Sequence, residues 1–163
     1  MFDVQQKIDR VIWRPTPKGW GLPGRLLFIV LRYLYANLGA LQERASIIEF
    51  TIHERAIDIA EKLLAGNPRI IGFGVYIWNA AEIARCVELI RQVSPQTVIV
   101  LGGPEVSHGP SDRSIVCDAD FVVAGEADLA FASLCRKLLG DVGVESKLVE
   151  TGLPTLDRIV LPY

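Results

Sequence analysis

Three short turns carry the residues best suited to chemistry: Tyr76-Ile77-Trp78-Asn79, Gly102-Gly103-Pro104-Glu105-Val106-Ser107 and Gly125-Glu126-Ala127-Asp128. Each follows a short, almost wholly apolar run. Glycines at such places let backbone come close to something bulky, because a residue without Cβ leaves that space open. Tyr76 and Trp78 add flat faces, so the set suits binding of a large, partly planar ligand. A plainer reading stands beside it: glycines also end strands in proteins that bind nothing there, and aromatic residues at strand ends often only cover the core.

Other chemistry has less support. Cys86, Cys117 and Cys135 are odd in number, far apart and in no paired metal-ligand spacing, so ordinary core cysteines account for them better than a disulfide framework or a zinc site. His53 falls in a helix cap and reads as a solvated or cap-packing side chain; His108, a lone loop histidine after the double glycine, is likewise read as solvated, and no metal ligand is assigned. Gly19-Trp20-Gly21-Leu22-Pro23-Gly24 matches the dinucleotide pattern Gly-x-Gly-x-x-Gly, but Pro23 fits poorly in a tight turn opening a helix. Glu43 also precedes the second strand instead of ending it, where a ribose-binding acid belongs. A phosphate receiver needs acidic residues at the ends of the first and third strands, where Val11-Ile12-Trp13 and Val75-Tyr76 offer none.

Only a parallel sheet brings the three turns to one edge. Short β-branched runs alternate with apolar periods near 3.6, which predicts a three-layer, Rossmann-like or flavodoxin-like α/β fold with a doubly wound, parallel, five-stranded sheet. Strands are expected at Asp9–Trp13, Ser46–Phe50, Arg69–Val75, Thr97–Leu101 and Asp120–Ala124, with Ser146–Glu150 as an added edge. A helix is expected from about Arg25 to Gln42. Thr51 and Glu54 match a capping box before a helix with Ala56, Ile57, Ala60, Leu63 and Leu64 inward, stopped by Gly66 and Pro68. Asn79 with Glu82 caps a helix burying Ile83, Val87 and Ile90; Ser111–Cys117 forms a short helix; and a last helix runs from about Glu126 to Leu139, closed by Gly140.

The chain has 163 residues, half of them hydrophobic, and a formal charge of −2. That suffices for one domain with a real core at residues 1–150, with 151–163 read as a linker. The charge argues against nucleic acid or an anionic membrane as the main partner. The apolar run Leu26–Leu31, bracketed by Arg25 and Arg32, falls far short of the roughly 20 residues a membrane span needs. With no signal core at the amino end, a cytoplasmic location is expected. The surplus of Leu, Ile and Val is compatible with self-association into a homo-oligomer.

Several segments together resemble the cobalamin-binding domain that precedes the radical S-adenosylmethionine barrel in a large class of bacterial and archaeal enzymes. They are Leu31–Leu38, Ile48–Ile52, Ile71–Asn79, Val100–Ser107 and Phe121–Glu126, in matching order and spacing, and Leu161-Pro162-Tyr163 resembles the connector into the barrel. The resemblance implies a sheet edge that receives the corrin ring, with the nucleotide tail slotted between sheet and helices. Tyr76, Ile77, Trp78 and Asn79 would line ring or tail; Gly102, Gly103, Pro104, Glu105 and Val106 would admit the tail; Gly125 and Glu126 would form the far wall. No residue acts as an acid, base or nucleophile in this reading.

The chain departs from the family pattern in three places. The Asp-x-His-x-x-Gly loop that gives cobalt a lower histidine is absent, so the cofactor is expected to bind without a protein histidine ligand. The Cys-x-x-x-Cys-x-x-Cys loop that holds an iron–sulfur cluster is absent as well, so the cluster and S-adenosylmethionine belong to a barrel supplied in cis or in trans. The segment Arg14–Ile29, with Pro15, Pro17 and Pro23, does not resemble the usual first loop. The reading is therefore an accessory cobalamin-binding domain for methyl transfer or radical rearrangement, not catalytic alone. The alternative is a degenerate scaffold or docking domain that no longer binds cofactor.

Overall fold

The sheet forms from the apolar runs the sequence marks out. The computed structural model describes residues 30–50, 54–107, 114–152, 157 and 159–162. Helical residues 30–36 (α1) lead into a 3-10 helix at Gly39–Arg44. Then come α2 (Ala56–Leu64), β1 (Ile70–Gly74), α3 (Ala80–Val93), β2 (Val98–Gly102), α4 (Pro104–Ser107), α5 (Ser114–Asp118), β3 (Phe121–Gly125), α6 (Ala127–Leu139) and β4 (Leu148–Thr151).

Four parallel strands lie in the order β1-β2-β3-β4. They correspond to the expected third, fourth and fifth strands and the added edge: the expected second, Ser46–Phe50, is irregular apart from a single bridge at Phe50, and the expected first, Asp9–Trp13, lies outside the described residues, as does Gly19–Gly24. Strand residues alternate between two cores. Ile71, Phe73, Ile99, Leu101 and Val122 pack with α2, α3, α4 and α5, while Ile70, Val100 and Val123 pack with α1 and α6. Helices therefore cover both faces, as an all-parallel sheet requires. The β1–β2 connection crosses one face through α3 and the β3–β4 connection crosses the other through α6, both stepping the same way across the sheet. The two crossovers thus have opposite hands, although about 98% of such connections are right-handed.

Three local expectations need correction. The first long helix ends at residue 36: Asn37 N–H still bonds Tyr33 O at 3.1 Å, but Leu38 N–H turns to Tyr35 O at 3.1 Å, and the chain tightens into the 3-10 helix. Before α2 the cap position is Arg55, with no side-chain cap bond; Glu54 instead pairs with Lys62 at 2.7 Å, and Thr51 lies outside the described residues. Within α2, Ile57 is 55% exposed and Ile59 takes its place in the core. The helix stops at Leu64, and Asn67 adopts a left-handed φ of 48°.

Cys86 and Cys135 are core residues as expected, and burial pushes each thiol up to about 12. Cys117 departs from the expectation and is exposed on α5. No described helix is long and apolar enough to cross a membrane.

Candidate functional site

The carboxyl ends of β1, β2 and β3 bring the three turns side by side. Gly74 is in register with Gly102, and Gly102 with Val123, on strands about 4.8 Å apart.

The first turn is held by Asn79. Its side chain is buried, accepting from Tyr76 N–H at 2.8 Å and donating to Gly74 O at 2.9 Å. Asn79 stands at the N-cap of α3 but makes no side-chain bond into it; the expected cap is replaced by a brace on the turn. That brace presents Tyr76 and Trp78 as a stacked pair, ring centroids 5.0 Å apart and 8° from parallel. Ile77 between them is 77% exposed and Trp78 43%. The arrangement is an apolar platform at the sheet edge.

The two glycines of the second turn differ. Gly103 has φ +107°, and a Cβ there would lie 2.5 Å from Val75 O and 3.0 Å from Val75 N. Val75 N–H donates to Gly102 O at 2.7 Å, and Glu105 N–H donates to Val75 O at 3.3 Å, so the β1 and β2 turns are laced backbone to backbone with Gly103 between them. The fold itself requires this glycine. A Cβ at Gly102 would meet only Val123 O at 3.6 Å, an ordinary contact. Packing does not explain a bare backbone at Gly102, whereas an approaching ligand would. Pro104 is exposed, Glu105 is half-buried, and Val106 is fully buried in the core, supporting the turn from beneath. Ser107 Oγ donates to Gly103 O at 2.8 Å and closes the turn.

In the third turn Gly125 and Glu126 are exposed. Gly125 has φ +89°, and a Cβ would lie 2.7 Å from Thr151 O. Sequence reasoning missed Thr151, whose hydroxyl lies 3.0 Å from Ala124 O and 2.8 Å from Glu126 O and ties β4 to this turn. Its only signal was a β-branched residue closing a short apolar run.

Asp128, in the first turn of α6, is half-buried beside Glu126; burial first, then the Glu126 charge, raises its pKa. The ionised form is thus disfavoured in the folded state. The penalty is absent below the ordinary value of 3.8, where both states are protonated, and complete once pH exceeds the raised folded value. Asp128→Asn is expected to melt above the parent at pH 7, with the difference shrinking as pH falls through the carboxylate range; thermal melts across that range check it.

Among the described residues no group of three or more His, Cys, Asp or Glu could hold a metal ion, and His53 and His108 lie outside them. A groove of about 820 Å³ opens elsewhere, between Arg32, Tyr35, Gln42, Ile47 and Glu49 on one side and Val160, Leu161 and Pro162 on the other; none of the three turns lines it.

An open parallel sheet with glycine-bearing turns and an aromatic platform at one edge defines an α/β ligand-binding domain of the Rossmann-like class. The B12 binding domain model matches residues 26–135, and the chain belongs to that family. Among curated proteins it is similar to 2-(S-pantetheinyl)-carbapenam-3-carboxylate methyltransferase of Streptantibioticus cattleyicolor, 28% identical over 88 residues. The match covers 52% of this chain and 13% of that protein, so the chain corresponds to a small part of the relative. Among solved structures, a cobalamin-binding protein from Desulfitobacterium hafniense DCB-2 superposes with a TM-score of 0.50 at 12% identity, over 82% of this chain and 60% of that one, which supports the fold. The response regulator domain of Thermotoga maritima CheB has a TM-score of 0.49 at 13% identity, over 85% of this chain and 98% of that one.

Proposed function

We propose that the chain is the cobalamin-holding domain of a methyl-transferring enzyme, working with a radical S-adenosylmethionine barrel supplied in cis or in trans. The observation that carries the reading is Gly102: its bare backbone is left open beside the Tyr76–Trp78 platform at the edge where the family's ligand belongs. In this reading Tyr76, Ile77 and Trp78 cover the corrin, Gly102 to Glu105 admit the tail, and Gly125 and Glu126 wall the far side. Asn79 and Val106 hold the turns in shape from within. Cobalamin, when bound, would supply one-carbon transfer chemistry at cobalt, in this reading without a histidine ligand from the protein. The barrel rests on the sequence resemblance and on the methyltransferase relative, most of whose length lies outside the matched stretch.

Titration with hydroxocobalamin, desalting and an absorbance spectrum test the reading. Corrin retained near one equivalent is the expected result. Gly102→Val, a β-branched residue at a strand end with room for its Cβ, is expected to melt close to the parent yet weaken cobalamin binding by about tenfold or more, since about 1.4 kcal/mol of lost contact is enough. A folded parent that retains no corrin leaves the scaffold reading standing. A Gly102→Val protein that binds as the parent does removes the slot from that turn.

A further inference from the structure

Beside the groove outside the glycine edge stands an anchor that the cofactor reading does not use. Asn37 is 7% exposed, and its carboxamide engages one residue from the far end of the chain. Val160 N–H donates to Asn37 Oδ1 at 2.9 Å, while Asn37 Nδ2 donates to Val160 O at 3.1 Å and to Tyr33 O at 2.8 Å. A side-chain amide that exchanges both bonds with a single residue reads the main chain as a neighbouring strand would, so it selects an extended peptide and is indifferent to the side chain at that position. The exposures agree: Val160 is 56% and Leu161 57% exposed although the backbone between them is held.

Tyr35 Oη donates to Gln42 O at 3.0 Å and Gln42 Nε2 to Ala36 O at 2.8 Å, so these two polar side chains satisfy one another's elements and leave the Asn37 amide as the group that recognises. With Val160 gone, the Asn37 carboxamide would lose a donor and an acceptor contact together and keep only its bond to Tyr33 O.

We propose that Asn37 is the anchor of a docking site for an extended peptide, read through its backbone and taken in this chain by its own residues 159–162, which thereby supply one wall of the groove. The site is independent of cobalamin. It pins the segment after β4 to α1 and so fixes where that segment runs.

Val160→Pro in the full chain tests this, because proline lacks the N–H that Asn37 accepts and leaves the buried amide in place. A fluorescently labelled peptide with the sequence of residues 157–163 is expected to bind the Val160→Pro protein and to bind the parent at least tenfold more weakly, the parent's site being occupied. The same peptide N-methylated at the Val160 position is expected to lose at least tenfold in affinity. Absence of binding to the Val160→Pro protein, equal binding to the parent, or equal binding of the methylated peptide overturns the proposal. Asn37→Ala, if it folds, should bind neither peptide; binding by that variant also overturns it.

Discussion

Gly103→Ala is expected to lower the stability of the folded chain by about 3 kcal/mol or more, combining a left-handed φ unsuited to a side chain with a methyl group forced against the Val75 backbone. The overlap is with backbone atoms on both sides of Val75, so no side-chain rotamer can relieve it. Relief requires separating the β1 and β2 turns, which breaks the bonds from Val75 N–H to Gly102 O and from Glu105 N–H to Val75 O. Urea denaturation should show a lower midpoint with an unchanged slope, and corrin retention should fall in parallel. Gly102→Ala, one residue earlier, is expected to shift the midpoint by less than about 1 kcal/mol. Equal stability of the two variants would show that the Val75 contact does not constrain the turn. The pair matters for any binding experiment, because loss of cofactor in a Gly103 variant reports a collapsed turn and, in the function proposed above, loss in a Gly102 variant reports a blocked slot.

Arg91→Ala is expected to cost about 2–3 kcal/mol, from the opposite edge of the sheet. Arg91 donates to Asp118 O at 2.8 Å, Thr97 O at 3.0 Å and Pro95 O at 3.3 Å, and pairs with Asp120. Asp120 Oδ2 also accepts from Ile99 N–H at 2.7 Å. One guanidinium thus joins the end of α3, the entry to β2 and the entry to β3. Its side chain is 24% exposed, which places the cost between a surface pair and a buried one. Arg91→Lys should recover only part of the loss, since an ammonium cannot reach several carbonyls with a planar fork. Chemical denaturation measures both variants; corrin retention by the folded fraction should not change, because no ligand-edge residue touches this hub. Full rescue by lysine would show that charge alone matters there.

The contrast between the two edges explains what could be read in advance. Strands expected at Arg69–Val75, Thr97–Leu101 and Asp120–Ala124 appear at Ile70–Gly74, Val98–Gly102 and Phe121–Gly125, because strands buried on both faces are apolar without interruption and the turns bounding them are marked by Gly and Pro. The helix expected from Glu126 to Leu139 starts one residue later for the same reason. The inward residues of α3 were legible from spacing, since Ile83, Val87 and Ile90 fall on one face.

What was not legible depends on partners distant in sequence. Gly103 reads as an open slot until Val75 is seen against it, and Gly125, read as a far wall, is seen only in the structure to need its bare backbone for Thr151. Asn79 reads as a cap because capping residues share its chemistry, yet its amide turns backward to Gly74 and Tyr76. Asn37 carried no signal at all, as its use depends on a residue 123 positions away.

The unusual hand of one of the two crossovers bears on motion. β4 joins the sheet at an edge, none of its residues is fully buried, and the connection that delivers it differs in hand from the one through α3. Segments with little burial and an open edge form the least protected cooperative units of a fold. β4 is therefore expected to show less hydrogen-exchange protection than β2 and β3, which are paired on both sides. Were it to detach, Thr151 would leave Gly125, and the constraint on the third turn would leave with it. The third turn thus depends on a strand at the sheet's edge, whereas the Gly103 turn is held between β1 and β2 themselves.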